Sequence, residues 1–107
     1  MNVPNKAVNY VIANAGKFAQ AKAMRVYLEE FRKSKKAILM GQSSLEAANA
    51  REQFAYSHPE YLELLHGLRE AVEVEEKLKW DLIAAQARID VWKTESYLEG
   101  RLERSVK

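Results

Sequence analysis

Tyr61, Leu64, Leu68, Ala71, Glu75, Leu78, Leu82, Ala85, Ile89 and Trp92 follow one another at intervals of 3,4,3,4,3,4,3,4,3. That is the seam of a helix whose inward face repeats every seven residues, sustained for more than four heptads. Only Glu75 breaks its apolar character. A seam this long constrains the fold more than any other feature of the chain, because it requires a second helix or a second subunit to cover it. The rest of the sequence agrees. Pro4 and Pro59 are the only prolines, with 54 residues between them, and Ala, Leu, Glu, Lys, Arg and Gln predominate. No segment alternates with the period of a strand.

The reading is therefore all-α, a single domain over residues 1–107. It predicts an elongated helical hairpin, a coiled-coil-like bundle of two long helices and one short one. The first helix is expected over 5–40, capped by Asn5, stopped by Gly41 and open to a bend at Gly16. Val8, Ile12, Ala15, Ala19, Ala23, Tyr27 and Phe31 form its expected apolar stripe, widened by Met24, Leu28 and Ile38. Lys22, Arg25, Glu29, Arg32 and Lys36 form the opposite, charged face. Ser43 and Glu46 have the spacing of a capping box for a short helix over 45–56. Ser57-His58-Pro59-Glu60 then starts a third helix over 59–104. At 1.5 Å per residue that helix would reach ~69 Å and the first only ~54 Å. Part of the seam is thus expected to need another chain, which predicts a homodimer or higher oligomer.

Composition excludes several classes. The chain has no cysteine, so disulfides, thiolate metal sites and thiol nucleophiles are ruled out. No apolar run approaches the ~20 residues that cross a bilayer. The first residues lack a basic region ahead of a long apolar core, and a reducing, cytoplasmic setting is expected. The net charge of +2 hides an asymmetry: residues 1–44 sum to +6 and residues 45–107 to −4. A basic first half suits a polyanion partner, or equally an acidic helix packed against it.

The runs RVYLEEFRKSKKAILM (25–40) and REQFAYSHPEYLELLHGLREAVEVEEKLKWDLIAAQARIDVWKTE (51–95) resemble a group of small uncharacterised bacteriophage and prophage proteins. The shared features are the FRKSKKA, AYSHPEY and AAQARIDVW stretches, and the likeness covers roughly residues 20–95. Such proteins are often encoded among early recombination and replication genes. The resemblance implies a bacterial host cell and a setting in DNA metabolism, and it carries no catalytic residue.

Among candidate sites, Lys22, Arg25, Arg32, Lys33, Lys35 and Lys36 can track phosphates, since nucleic-acid binding needs cations that displace counterions. Tyr27 and Phe31 are interleaved with them but fall on the apolar stripe, where burial would prevent base stacking; Glu29 is expected to pair with Lys33. The alternative is a solvated face or a contact with the acidic third helix. Glu63 and His66 match one Glu-x-x-His element of a carboxylate-bridged metal bundle, which would need further ligands. No nucleophile arrangement or Gly-rich phosphate loop is evident, so no enzyme activity and no cofactor are expected. Glu75 is read as facing water beside Lys79, the alternative being a register-setting polar group. Trp92 belongs to the seam, and Trp80, off it, to a contact within the oligomer or with a partner protein. Three binding functions follow: a nucleic-acid-associated recombination or replication factor, a protein-interaction module acting on a host or phage protein, and a metal-binding bundle.

Overall fold

The computed structural model describes residues 3–106, with side-chain surroundings given for 5–105. The described residues are all-α: α1 (Val3–Gln42), α2 (Ala48–Ser57) and α3 (Pro59–Val106). No helix is long and apolar enough to cross a membrane among these residues. Two compact units are formed. One comprises α1 up to Ala19 with α3 from Glu76 onward; the other is Gln20–Glu75.

The helix ends differ from the sequence expectation. α1 starts at Val3, so Asn5 is a helical residue and not a cap. Pro4 permits this, because a proline in the first turn lacks only an amide hydrogen that would have no intrahelical acceptor. At the other end Gly41 continues the helix to Gln42, and no described residue has a positive φ. Ser43 and Glu46 do not form a capping box. The Ser43 hydroxyl accepts from the Leu45 amide at 3.1 Å, closing a local turn. α2 begins later, after Ala47, with no side-chain cap. A serine bonding two residues ahead competes with helix formation, which delays the start. His58 ends α2 in an extended conformation, and its Nδ1 accepts from the Glu60 amide at 3.1 Å in the first turn of α3.

In the unit Gln20–Glu75 the core is small. Leu39 is fully buried (0% exposed) and meets Ala55 of α2 and Tyr61 of α3, with Met40 and Leu65 packed around them. Tyr56 adds an edge-to-face contact with Tyr61, ring centroids 5.4 Å apart. In the other unit Ala7 and Ala85 are buried, and Lys6, Ala7 and Tyr10 line a groove with Asp81, Ala84, Ala85 and Arg88.

On α3, Tyr61, Glu75 and Ala85 are buried, and Leu64, Leu68, Ala71, Leu78, Leu82, Ile89 and Trp92 half-buried. The Trp92 indole N–H is buried without an acceptor among the described residues. The inward face of α1 is not the stripe expected from its apolar residues. Ala7, Val11, Asn14, Phe18, Ala21, Arg25, Leu28, Arg32, Lys35 and Leu39, all buried or half-buried, form one inward register spaced 4,3,4,3,4,3,4,3,4, flanked by half-buried Tyr10, Glu29, Lys36 and Met40. Val8, Ile12, Ala15, Ala19, Ala23, Tyr27 and Phe31, with Met24 and Ile38, are exposed instead; Ile12 is 73% exposed. The reason is chemical. Three of the ten inward positions, Arg25, Arg32 and Lys35, are cations whose long apolar stems bury, and the heads of Arg25 and Lys35 reach carboxylates of α3.

α1 runs through Gly16 and α3 through Gly67, and a Cβ at either would meet nothing within 4 Å. Glycine inside a helix costs ~1 kcal/mol relative to alanine. Gly16→Ala/Gly67→Ala is therefore expected to raise stability by roughly 1–2 kcal/mol, read as a higher urea midpoint at unchanged slope.

Candidate nucleic-acid interface

The six cations proposed from sequence are not equivalent. Arg25 lies on the inward face of α1, where its guanidinium binds Glu75 through Nε to Oε2 and through Nη2 to Oε1 at 3.1 Å. Nη1 also donates to both carboxylate oxygens of Glu29 at 3.0 and 3.1 Å. These bonds, to Glu75 first and Glu29 second, raise the Arg25 pKa above its ordinary value. Glu75, only 8% exposed, is thus a buried member of the seam held by Arg25, and does not face water beside Lys79. The helical phase of α1 is what places a cation opposite it.

Lys35 is also drawn inward, 2.9 Å from Glu60 at the start of α3, and its hydrogen bond lowers the Glu60 pKa. Lys33 pairs with Glu30 at 3.3 Å, while Glu29, its expected partner, is taken by Arg25. Lys36 stands 3.6 Å from Glu52 of α2, with its Nζ 4.6 Å from the centre of the Tyr56 ring. Tyr56 and then Glu52 raise the Lys36 pKa, against the opposing effect of burial. Lys36 therefore remains a cation throughout the neutral range. Lys22 is exposed and Arg32 half-buried, and neither has an ion-pair partner among the described residues.

Arg32, Lys33 and Lys36 nevertheless converge. With Tyr56 and Tyr61 they line one open notch where α1 passes α2 and the first turns of α3. Spacings of one, three and four residues place the three cations on adjoining sectors of α1, and the docking of α2 adds the tyrosines. Tyr56 was not among the sequence candidates, because the docking of α2 that brings it here leaves no local signal. Three converging cations can hold phosphate oxygens.

Tyr27 and Phe31 are exposed and stack on each other, centroids 5.9 Å apart at 10°. They lie elsewhere: Phe31 is roughly 140–160° around the helix from Lys33 and Lys36. Phe31 instead lines a groove with Lys35, Glu60, Glu63, Leu64 and Gly67. The stacked rings and the converging cations thus sit on different faces of α1. Within Gln20–Glu75 as a whole the charges nearly cancel, with eight basic and nine acidic side chains.

Glu63 and His66 are both exposed on α3. No group of three or more His, Cys, Asp or Glu side chains able to hold a metal ion occurs among the described residues. The donor set that the Glu-x-x-His reading needs is therefore not assembled among the described residues. Trp80 is 60% exposed, and its indole N–H donates to Glu76 at 3.0 Å. No protein family matches this chain, and neither does any curated protein or solved structure.

Proposed function

We propose that this is a non-enzymatic binding protein that takes the phosphate backbone of a nucleic acid in the notch formed by Arg32, Lys33 and Lys36. The observation that carries the reading is their convergence with Tyr56 around one open concavity, in which Arg32 has no carboxylate partner among the described residues. Binding of this kind reads charge and not sequence, because no side chain in the notch is placed to reach base edges. Arg25 and Lys35 are structural, and they neutralise Glu75 and Glu60. The setting we propose, phage recombination or replication inside a bacterial host, rests on the sequence resemblance alone.

Three phosphate contacts imply a modest, salt-dependent affinity, with log K falling against log salt at a slope of about −2 for a single strand. Fluorescence anisotropy with a labelled single-stranded oligonucleotide measures this. Arg32→Glu/Lys36→Glu is expected to weaken binding at least tenfold while circular dichroism stays unchanged. No anisotropy change at about 50 mM salt would remove the nucleic-acid reading, because low salt is where backbone contacts are strongest.

The second reading, a protein-interaction module with no nucleic-acid contact, is favoured by a different observation. Tyr27, Met24, Trp80, Val91 and Leu98 are large apolar side chains left exposed. Met24 and Tyr27 belong to one unit and Trp80, Val91 and Leu98 to the other, and exposed apolar side chains that cluster on a helix face mark interaction surfaces.

A further inference from the structure

The outward face of α3 changes character along one register. Glu63, His66, Glu70, Glu73 and Lys77 succeed one another at 3,4,3,4 on this face, and all five are exposed. The same register then continues as Trp80, Ala84, Ala87, Val91, Thr94 and Leu98, again all exposed and without one charge. In a chain whose residues are 30% charged, a solvated face has no reason to lose its charges over six consecutive positions. This second stripe lies about 160° around the helix from the inward seam of Leu78, Leu82, Ala85, Ile89 and Trp92. Trp80, Val91 and Leu98 are 60%, 56% and 51% exposed.

We propose that this stripe is a self-pairing surface on which the same stripe of a second copy lies antiparallel. The occupant follows from the charges on its shoulders. Arg88 and Glu95 sit on the shoulder between this stripe and the groove that Arg88 lines with Lys6, Ala7 and Tyr10; they are one heptad apart, and neither has an ion-pair partner among the described residues. In an antiparallel pair with Val91 layered on Thr94, Ala87 meets Leu98, and Arg88 of each copy faces Glu95 of the other. The contact occurs twice by symmetry. A parallel pair would instead set Glu76 against Asp81 and Asp90 against Glu95, all like charges. The surface is complementary to itself in one orientation, which is the property an isologous interface requires.

Sedimentation equilibrium at micromolar concentration tests the proposal. The full chain is expected to dimerise, and Val91→Glu to weaken dimerisation at least tenfold while helix content is unchanged, since Val91 is exposed in the monomer. Arg88→Glu is expected to weaken it as well, and Arg88→Glu/Glu95→Arg to restore it, because an antiparallel pair only exchanges the two charges. A chain that stays monomeric up to about 100 μM would overturn the proposal. So would a dimer indifferent to Val91→Glu, or one that the double exchange fails to rescue.

Discussion

Leu39→Ala is expected to destabilise the chain by roughly 2–5 kcal/mol, the range for removing a large aliphatic side chain from a packed site. In a chain of this length such a loss lowers Tm by at least about 10 °C. Leu39 is the one large side chain fully buried among the described residues, and it joins the end of α1 to Ala55 of α2 and Tyr61 of α3. α2 is only ten residues long and would be marginal by itself, so its helicity depends on docking at this junction. The substitution should therefore affect the notch as well, since Tyr56 is placed there by α2. Ile12→Ala is the control. Ile12 is 73% exposed, and its loss is expected to change stability by no more than about 0.5 kcal/mol. Urea titration followed by circular dichroism separates the two. A cost below about 1 kcal/mol at Leu39 would mean that the junction collapses around the deletion and contributes little.

That contrast also shows what the sequence could reveal. The three helices of the described residues, and the absence of strands among them, were legible, because proline placement and helix-forming composition act locally. The phase of α1 was not. A search for apolar periodicity selects Val8, Ile12, Tyr27 and Phe31, whereas the inward face contains Asn14, Arg25, Arg32 and Lys35. Those side chains are inward because α3 supplies carboxylates opposite two of them, Glu75 for Arg25 and Glu60 for Lys35. The information is thus divided between two helices and visible in neither. Helix starts failed for a similar reason: the Ser43 hydroxyl has two possible amide partners, and only the folded chain selects the nearer one. In the candidate site, the FRKSKK run made Arg32, Lys33 and Lys36 conspicuous. Tyr56 was silent, since nothing local to AYSHPEY indicates that α2 folds back against that run.

The asymmetry of charge acquires a structural cause on the same grounds. The basic run does not form one continuous cationic stripe. Arg25 and Lys35 are spent on carboxylates of α3, and Lys36 shares Glu52 of α2. These pairs tie particular positions of α1 to particular positions of α2 and α3. What remains for a ligand is the notch, and its small number of cations is why weak, salt-sensitive binding is expected there.

Replacing Arg25 by methionine should expose how much the seam depends on that pairing. Arg25→Met keeps the apolar bulk of the side chain but removes the guanidinium that neutralises Glu75, and Tm is expected to fall by about 10 °C. Glu75→Leu should cost less, because Arg25 retains its two hydrogen bonds to Glu29 and can turn its head toward solvent. Arg25→Met/Glu75→Leu is expected to recover most of the loss or to exceed the natural chain, since a well-packed apolar pair avoids desolvating two charges. Thermal melts of the four proteins form a double-mutant cycle. A strongly positive recovery in the double variant places the pair at the centre of register selection. Simple addition of the two single losses would instead show that Arg25 and Glu75 are neighbours without coupling, and that the seam tolerates Glu75 through its other contacts.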